Sequence, residues 1–224
     1  MNILAIGAHP DDIEYGCGGT LSKYAKLGHH IYLLVMTKGG VGGKAFLRSR
    51  EQMRSAKILS VRRLFWGGYR DTEIPLGKGL INRIETTVRK VKPTFIFINY
   101  LDDTHQDHRA VAQATNTATR YTKNVLYYEV PSTQNFNPTV FIDIKEVLEN
   151  KLAALRAHAS QVSATRIQNL TILDSALSNA VFRGIQGRVK YAEAFVPSRL
   201  FIAVEPDRNE VMTKGGGHAK IQAS

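Results

Sequence analysis

The chain has 224 residues, 43% of them hydrophobic and 22% charged, a balance that excludes wholesale disorder and suits one α/β domain with a short appendage. A formal net charge of +11 favours anionic partners, which include nucleic acid, acidic membranes and phosphorylated or carboxylated small molecules. No run approaches the ~20 apolar residues that span a bilayer, no signal peptide is readable at the start, and the lone Cys17 excludes an intrachain disulfide or a Cys-based zinc finger. The expected address is therefore the cytosol. The basic residues are scattered, with only pairs such as Arg62-Arg63 and Arg89-Lys90, so the charge suits attraction of an anionic substrate, or solubility, better than a nucleic-acid surface.

Apolar runs at 3–8 and 30–36 read as buried strands, separated by a helix over 19–27 that stops at Gly28. Residues 37–43 hold four glycines and read as a mobile loop. A helix over 50–59 leads to a strand at 63–66. The helix at 80–91 ends before Pro93, and 94–99 is a buried strand. A helix over 108–121, strands at 125–130 and 139–143, and a helix over 145–157 complete the pattern. Strands alternating with helices predict a Rossmann-like three-layer α/β fold, with a mostly parallel sheet and helices on both faces. A single domain is expected over 1–204, followed by a polar, glycine-rich tail over 205–224. In such sheets ligands bind beyond the carboxyl ends of the strands, near the point where strand order reverses.

Two polar clusters lie at strand exits. The first runs from His9-Pro10-Asp11-Asp12-Ile13-Glu14 through Gly16-Cys17-Gly18-Gly19-Thr20, and the second is Asp102-Asp103-Thr104-His105-Gln106-Asp107-His108. Two histidines and one aspartate can hold zinc while leaving a position open for water, the mark of a catalytic rather than a structural site. Each cluster alone could be turn or cap chemistry. Together, on strand ends of one sheet, they favour a metal site. Glycines 16, 18 and 19 would let backbone approach without side-chain obstruction.

The stretch Ala8 to Glu14, continued by Gly16-Cys17-Gly18-Gly19-Thr20-Leu21, resembles the signature of the PIG-L/LmbE family of zinc-dependent N-acetylglucosaminyl deacetylases. Its second motif, His-Pro-Asp-His-Arg, is matched by His105-Gln106-Asp107-His108-Arg109, with Gln106 in place of proline. Further similarity lies in Ala157-His158-Ala159-Ser160-Gln161, in Arg183-Gly184 and in the run Tyr191 to Phe195, so the likeness covers about residues 1–200. It implies a Rossmann-like fold and hydrolysis of an N-acetyl group from an N-acetylglucosamine-type amino sugar. It also implies one Zn2+ per chain (other divalent metals being admissible) on His9, Asp12 and His108. By the same likeness Asp11 is the general base, and His105, oriented by Asp107, is the oxyanion stabiliser. Relatives of this kind often form trimers or hexamers, so a homo-oligomer is expected.

The bottom-up chemistry agrees. Zinc lowers the pKa of bound water toward about 7, and Asp11, whose side chain diverges from that of Asp12, can take a proton from that water and return it to the departing amine. The simpler alternative for His105 is that it only caps the following helix. Substrate contacts are expected from Glu14, Arg48, Arg50 and Asp71, against plain dipole, solvated-face or turn roles. Cys17 reads as small packing, His158 and Gln161 as site wall or subunit contact, and Glu193 as a structural partner for a buried arginine such as Arg183. A rival from another class is a nucleotide- or nucleic-acid-binding α/β protein, although Gly-x-Gly-x-x-Gly and Walker sequences are missing. An amidase acting on a different acyl group is a second rival.

Overall fold

The alternation resolves into seven strands and six α-helices among residues 1–202, the residues that the computed structural model describes. In chain order these are β1 (Asn2–Gly7), α1 (Asp12–Lys26), β2 (His30–Thr37), α2 (Ala45–Ile58), β3 (Val61–Tyr69), α3 (Lys78–Val91), β4 (Phe95–Asn99), α4 (Gln106–Ala118), β5 (Asn124–Tyr128), β6 (Val140–Asp143), α5 (Leu148–Arg156), α6 (Ile172–Gly187) and β7 (Ala192–Arg199). The tail expected over 205–224 lies outside the described residues. No helix among the described residues is long and apolar enough to cross a membrane.

One sheet runs in the order β3-β2-β1-β4-β5-β7-β6. The first five strands pair in parallel, while β7 runs antiparallel to both β5 and β6. Side chains of β1 and β4 are buried on both sides, as the continuous apolar runs require. Ile3, Ala5 and Phe97 pack on one face with Ile13 and Leu21 of α1, Leu152 and Leu155 of α5 and Ala180 of α6. Leu4, Ile6 and Ile98 pack on the other face with Ile84 of α3 and Val111 of α4. This is the expected three-layer α/β fold. Each fully buried aliphatic side chain contributes about 1.5–3 kcal/mol.

Two differences from the sequence reading have physical causes. α1 starts at Asp12 rather than near residue 19, because its glycines are there for packing and not for a loop. A Cβ on Gly16 would lie 2.0 Å from the Tyr128 ring, so only glycine lets α1 approach the sheet this closely. Secondly, α6 and β7 carry signals that went unassigned. Thr171 and Asp174 form a reciprocal capping box at the start of α6.

α1 is also broken internally, at Cys17 (φ −145°, ψ 15°). The break frees backbone groups that a continuous helix would pair. The Tyr15 carbonyl accepts from Lys151 Nζ, and the Gly19 and Thr20 N–H groups donate to the Glu193 carboxylate at 2.8 and 2.7 Å. Lys151 and Glu193 meet at 2.5 Å, both buried. The expected Glu193–Arg183 pairing is thus corrected: Arg183 binds Glu129 instead, through two bonds of 2.6 Å. Removing one member of a buried, hydrogen-bonded pair strands the other, so Lys151→Met should lower unfolding stability by about 3–5 kcal/mol. Urea denaturation measures it, and a loss below about 1 kcal/mol would show that Lys151 does not hold the break.

Candidate active site

Strand order reverses between β1 and β4, which lie side by side while their chains continue to opposite faces. Both sequence clusters leave from this point, where side chains from two strand exits converge. After β1 the chain turns through His9, Pro10 and Asp11. Asp11 holds φ at +91°, a left-handed conformation that costs a non-glycine residue energy and is characteristic of functional sites. That turn lets α1 begin at once with Asp12. The Asp12 Oδ2 atom accepts the N–H groups of Ala8 (3.0 Å) and His9 (2.9 Å), which fixes the carboxylate beneath the turn.

Three donor atoms face one another here. His9 Nδ1 lies 3.1 Å from His108 Nε2. Asp12 Oδ2 lies 3.3 Å from His108 Nε2 and 3.7 Å from His9 Nδ1. Ligands about 2.0–2.1 Å from a tetrahedral zinc stand ~3.3–3.4 Å apart, so the spacing fits a metal. The opposite ring nitrogens are committed as donors. His9 Nε2 meets Asp71 at 3.0 Å and Asp107 at 3.1 Å, and His108 Nδ1 meets Asp103 at 3.1 Å. With a cation in place of the shared protons, each imidazole would turn a lone pair to the shared point, and the carboxylate behind it would set the tautomer. The groups His9, His105, His108 and His9, Asp71, Asp107 also bring donors within 4.8 Å of one another. The second is accounted for by hydrogen bonds to His9 Nε2, and in the first His105 has its Nδ1 engaged elsewhere.

The electrostatics follow from this packing. Burial alone would push the His9 and His108 imidazoles down. The acids around them prevail, holding His9 well above the ordinary histidine value through Asp107, Asp12 and Asp71, and His108 at about 9 through Asp12 and Asp103. Burial would raise Asp12, but His108 and His9 hold it well below the usual carboxylate range. The cluster is charged and tightly coupled, a setting in which a cation can replace protons.

Asp107 is where the structure departs most from expectation. Its carboxylate accepts the N–H groups of Thr72 (2.8 Å) and Ile74 (3.2 Å) and meets His9 Nε2. It does not touch the His105 ring. Instead the Asp107 backbone N–H donates to His105 Nδ1 at 3.2 Å, making His105 the cap of α4. Burial and the neighbouring His9 and His108 charges lower the His105 pKa, and the backbone N–H accepted at Nδ1 leaves Nε2 as the ring's donor toward the cleft. The ring stacks on His108 with centroids 4.8 Å apart and lines the cleft. Asp103 was left without a role in the sequence reading; it lies at the β4 exit and also accepts the His105 N–H at 2.8 Å.

The His9–Asp12–His108 cluster opens into a cleft of about 450 Å³ lined by His9, Asp11, Arg48, Asp71, His105 and His108. The Asp11 side chain keeps 23% of its surface open. Burial raises its carboxyl to about 6, against the pull of Arg48 and His158, and solvent at the open face tempers that push. Arg48 is buried, and its guanidinium reaches Pro10 O, Gly39 O and Asp11. Asp71 ties His9 to the N–H groups of Val41 and Gly42. Two expected substrate contacts are not brought here. Glu14 is wholly buried and accepts from Gln52 and Ser55 at 2.6 and 2.7 Å, with His158 Nε2 3.5 Å away. Arg50 is exposed on α2, over the Phe46 ring. Gln161 is part of the cleft wall, and burial pushes the Cys17 thiol well up, consistent with packing alone.

A doubly wound sheet with a carboxylate-backed His–Asp–His cluster at its switch point defines a class of α/β proteins with a candidate metal centre. Residues 4–119 match the PIG-L family, described as GlcNAc-PI de-N-acetylase, and the chain belongs to this PIG-L/LmbE deacetylase family. It is 40% identical over 167 residues to YaiS, an uncharacterized deacetylase of Escherichia coli (strain K12), across 70% of this chain and 90% of that protein. It is 30% identical over 187 residues to the diacetylchitobiose deacetylase of Thermococcus kodakarensis, across 71% and 69% of the two chains. The solved N,N'-diacetylchitobiose deacetylase from Pyrococcus horikoshii superposes with a TM-score of 0.78 at 25% identity, covering 93% of this chain and 88% of that one. None of these relatives supports the nucleic-acid alternative.

Proposed function

We propose that the protein, acting through one domain over residues 1–204, is a zinc-dependent N-deacetylase that hydrolyses the acetamide of an N-acetylglucosamine-type sugar, releasing acetate and a free amine. The observation that carries this reading is the separation of the His9, Asp12 and His108 donor atoms, 3.1–3.7 Å, which suits one tetrahedral ion with room for water. When bound, zinc would make hydroxide available near neutral pH and polarise the amide carbonyl. Asp11, open to the cleft, takes the proton of the attacking water on a carboxylate oxygen and returns it to the departing nitrogen. His105 donates its Nε2–H to the carbonyl oxygen as negative charge develops there. Arg48 holds Asp11 in line, and Asp71, on the cleft wall, is the proposed contact for sugar hydroxyls. A homo-oligomer in the cytoplasm, and an anionic amino sugar among the substrates, are proposed on the family likeness and the +11 charge.

Assay of released amine over a panel of N-acetyl sugars, with zinc-loaded protein, tests the reading; silence across the whole panel would reject it. Asp107 supplies a finer check. As the group behind His9 it should act on metal affinity, so Asp107→Asn should weaken zinc binding about 10–100-fold, measured by chelator competition. Loss of kcat with metal fully retained would return Asp107 to His105.

A further inference from the structure

A second hollow, of about 470 Å³, adjoins the catalytic cleft at the carboxyl ends of β2 and β3, and the two share Val41 and Asp71 as a common wall. The shared carboxylate is well placed to mark a boundary. Its Oδ1 atom meets His9 Nε2 at 3.0 Å on one side, and its Oδ2 atom accepts the Val41 N–H at 2.8 Å on the other. The hollow thus begins one side chain away from the proposed metal ligands.

Its lining differs from that of the cleft. Trp66 and Tyr69 of β3 face Met36, Val41 and Ala45, giving a mainly apolar slot with two aromatic rings. Trp66 is only partly buried although it packs against the core. β3 is the sheet edge, so no further strand among the described residues covers it. Gly68, at φ +86°, has no atom of the described residues within 4 Å of where a Cβ would lie, which keeps the floor beside Trp66 open. Lys38, Arg70 and Glu73 stand at the polar side of the slot. The volume is that of a small-ligand pocket, too small for a folded partner.

We propose that this hollow is the subsite for the part of the substrate beyond the acetylated sugar, and that its occupant is a flat ring with an apolar face stacked on Trp66. The inference rests on the deacetylase reading of the neighbouring cleft and deepens it. The substrate becomes an N-acetylhexosamine glycoside that straddles Asp71, with its acetamide at the metal cluster and its ring-bearing aglycone between Trp66 and Val41.

Trp66 is the one tryptophan in the chain, so its fluorescence reports this subsite without turnover. Metal-stripped protein should show a saturable fluorescence change with phenyl N-acetyl-β-glucosaminide, and a markedly weaker one with the methyl glycoside. In the zinc-loaded enzyme, the ratio of kcat/KM for the phenyl over the methyl glycoside should fall roughly three- to tenfold in Trp66→Ala, the worth of one aromatic stacking pair, and be largely kept in Trp66→Phe. The ratio cancels any general loss of folding or metal. If the phenyl glycoside causes no saturable change, or if the ratio is untouched in Trp66→Ala, the subsite is wrong. Failure of the deacetylase reading looks different: neither glycoside releases amine, while the saturable fluorescence change with the phenyl glycoside persists.

Discussion

Replacing Asp11 by Asn should leave the bound metal in place and lower kcat by about 10²–10⁴-fold, the usual contribution of a positioned acid–base group. The substitution keeps the side chain's shape and its reach to Arg48, 3.3 Å away, but removes the atom that receives the proton. Asp11 touches none of the three converging donors, since the carboxylate at that point belongs to Asp12. Metal content and activity should therefore separate. Metal analysis beside a single-turnover assay measures both, and retained activity would move the base elsewhere. Glu14, the next acid along, is a poor substitute because it is wholly buried and already accepts two hydrogen bonds.

The second large effect belongs to His9. His9→Ala removes one of three donors and also leaves Asp71 and Asp107 without the imidazole they share. Loss of a group behind a ligand costs about 10–100-fold in metal affinity; loss of the ligand itself should exceed that, so the variant should purify nearly free of zinc and inactive. Full zinc occupancy in His9→Ala would displace the assigned ligand set. Folding should survive, because the core on both faces of β1 is untouched, and circular dichroism would check that.

The site was legible where local sequence and sheet topology coincide. His9 and Asp12 follow the end of β1 directly, His108 lies in the first turn of α4, the helix that follows β4, and the reversal of strand order puts β1 beside β4. Pairings made across long separations were not legible. Asp107 lies two residues from His105 in sequence, yet its carboxylate is turned toward His9 by the N–H groups of Thr72 and Ile74, which no local spacing reveals. Glu193 met Lys151 rather than Arg183 for the same reason: the break at Cys17 creates the need for both partners. The early start of α1 was hidden because glycine signals a loop locally, whereas Gly16 is required by contact with Tyr128. α6 could have been found, since Thr171 and Asp174 spell a capping box three residues apart.

On the proposed reading, one metal ion held by His9, Asp12 and His108 would make this chain an amine-releasing hydrolase. The most direct test of that reading is to strip the protein with a chelator and follow amine release from an N-acetylglucosamine-type glycoside as zinc is returned. Activity should be absent in the stripped protein and rise to a plateau at one equivalent of zinc per chain. Undiminished amine release from the stripped protein, or a plateau reached only at several equivalents, would contradict it.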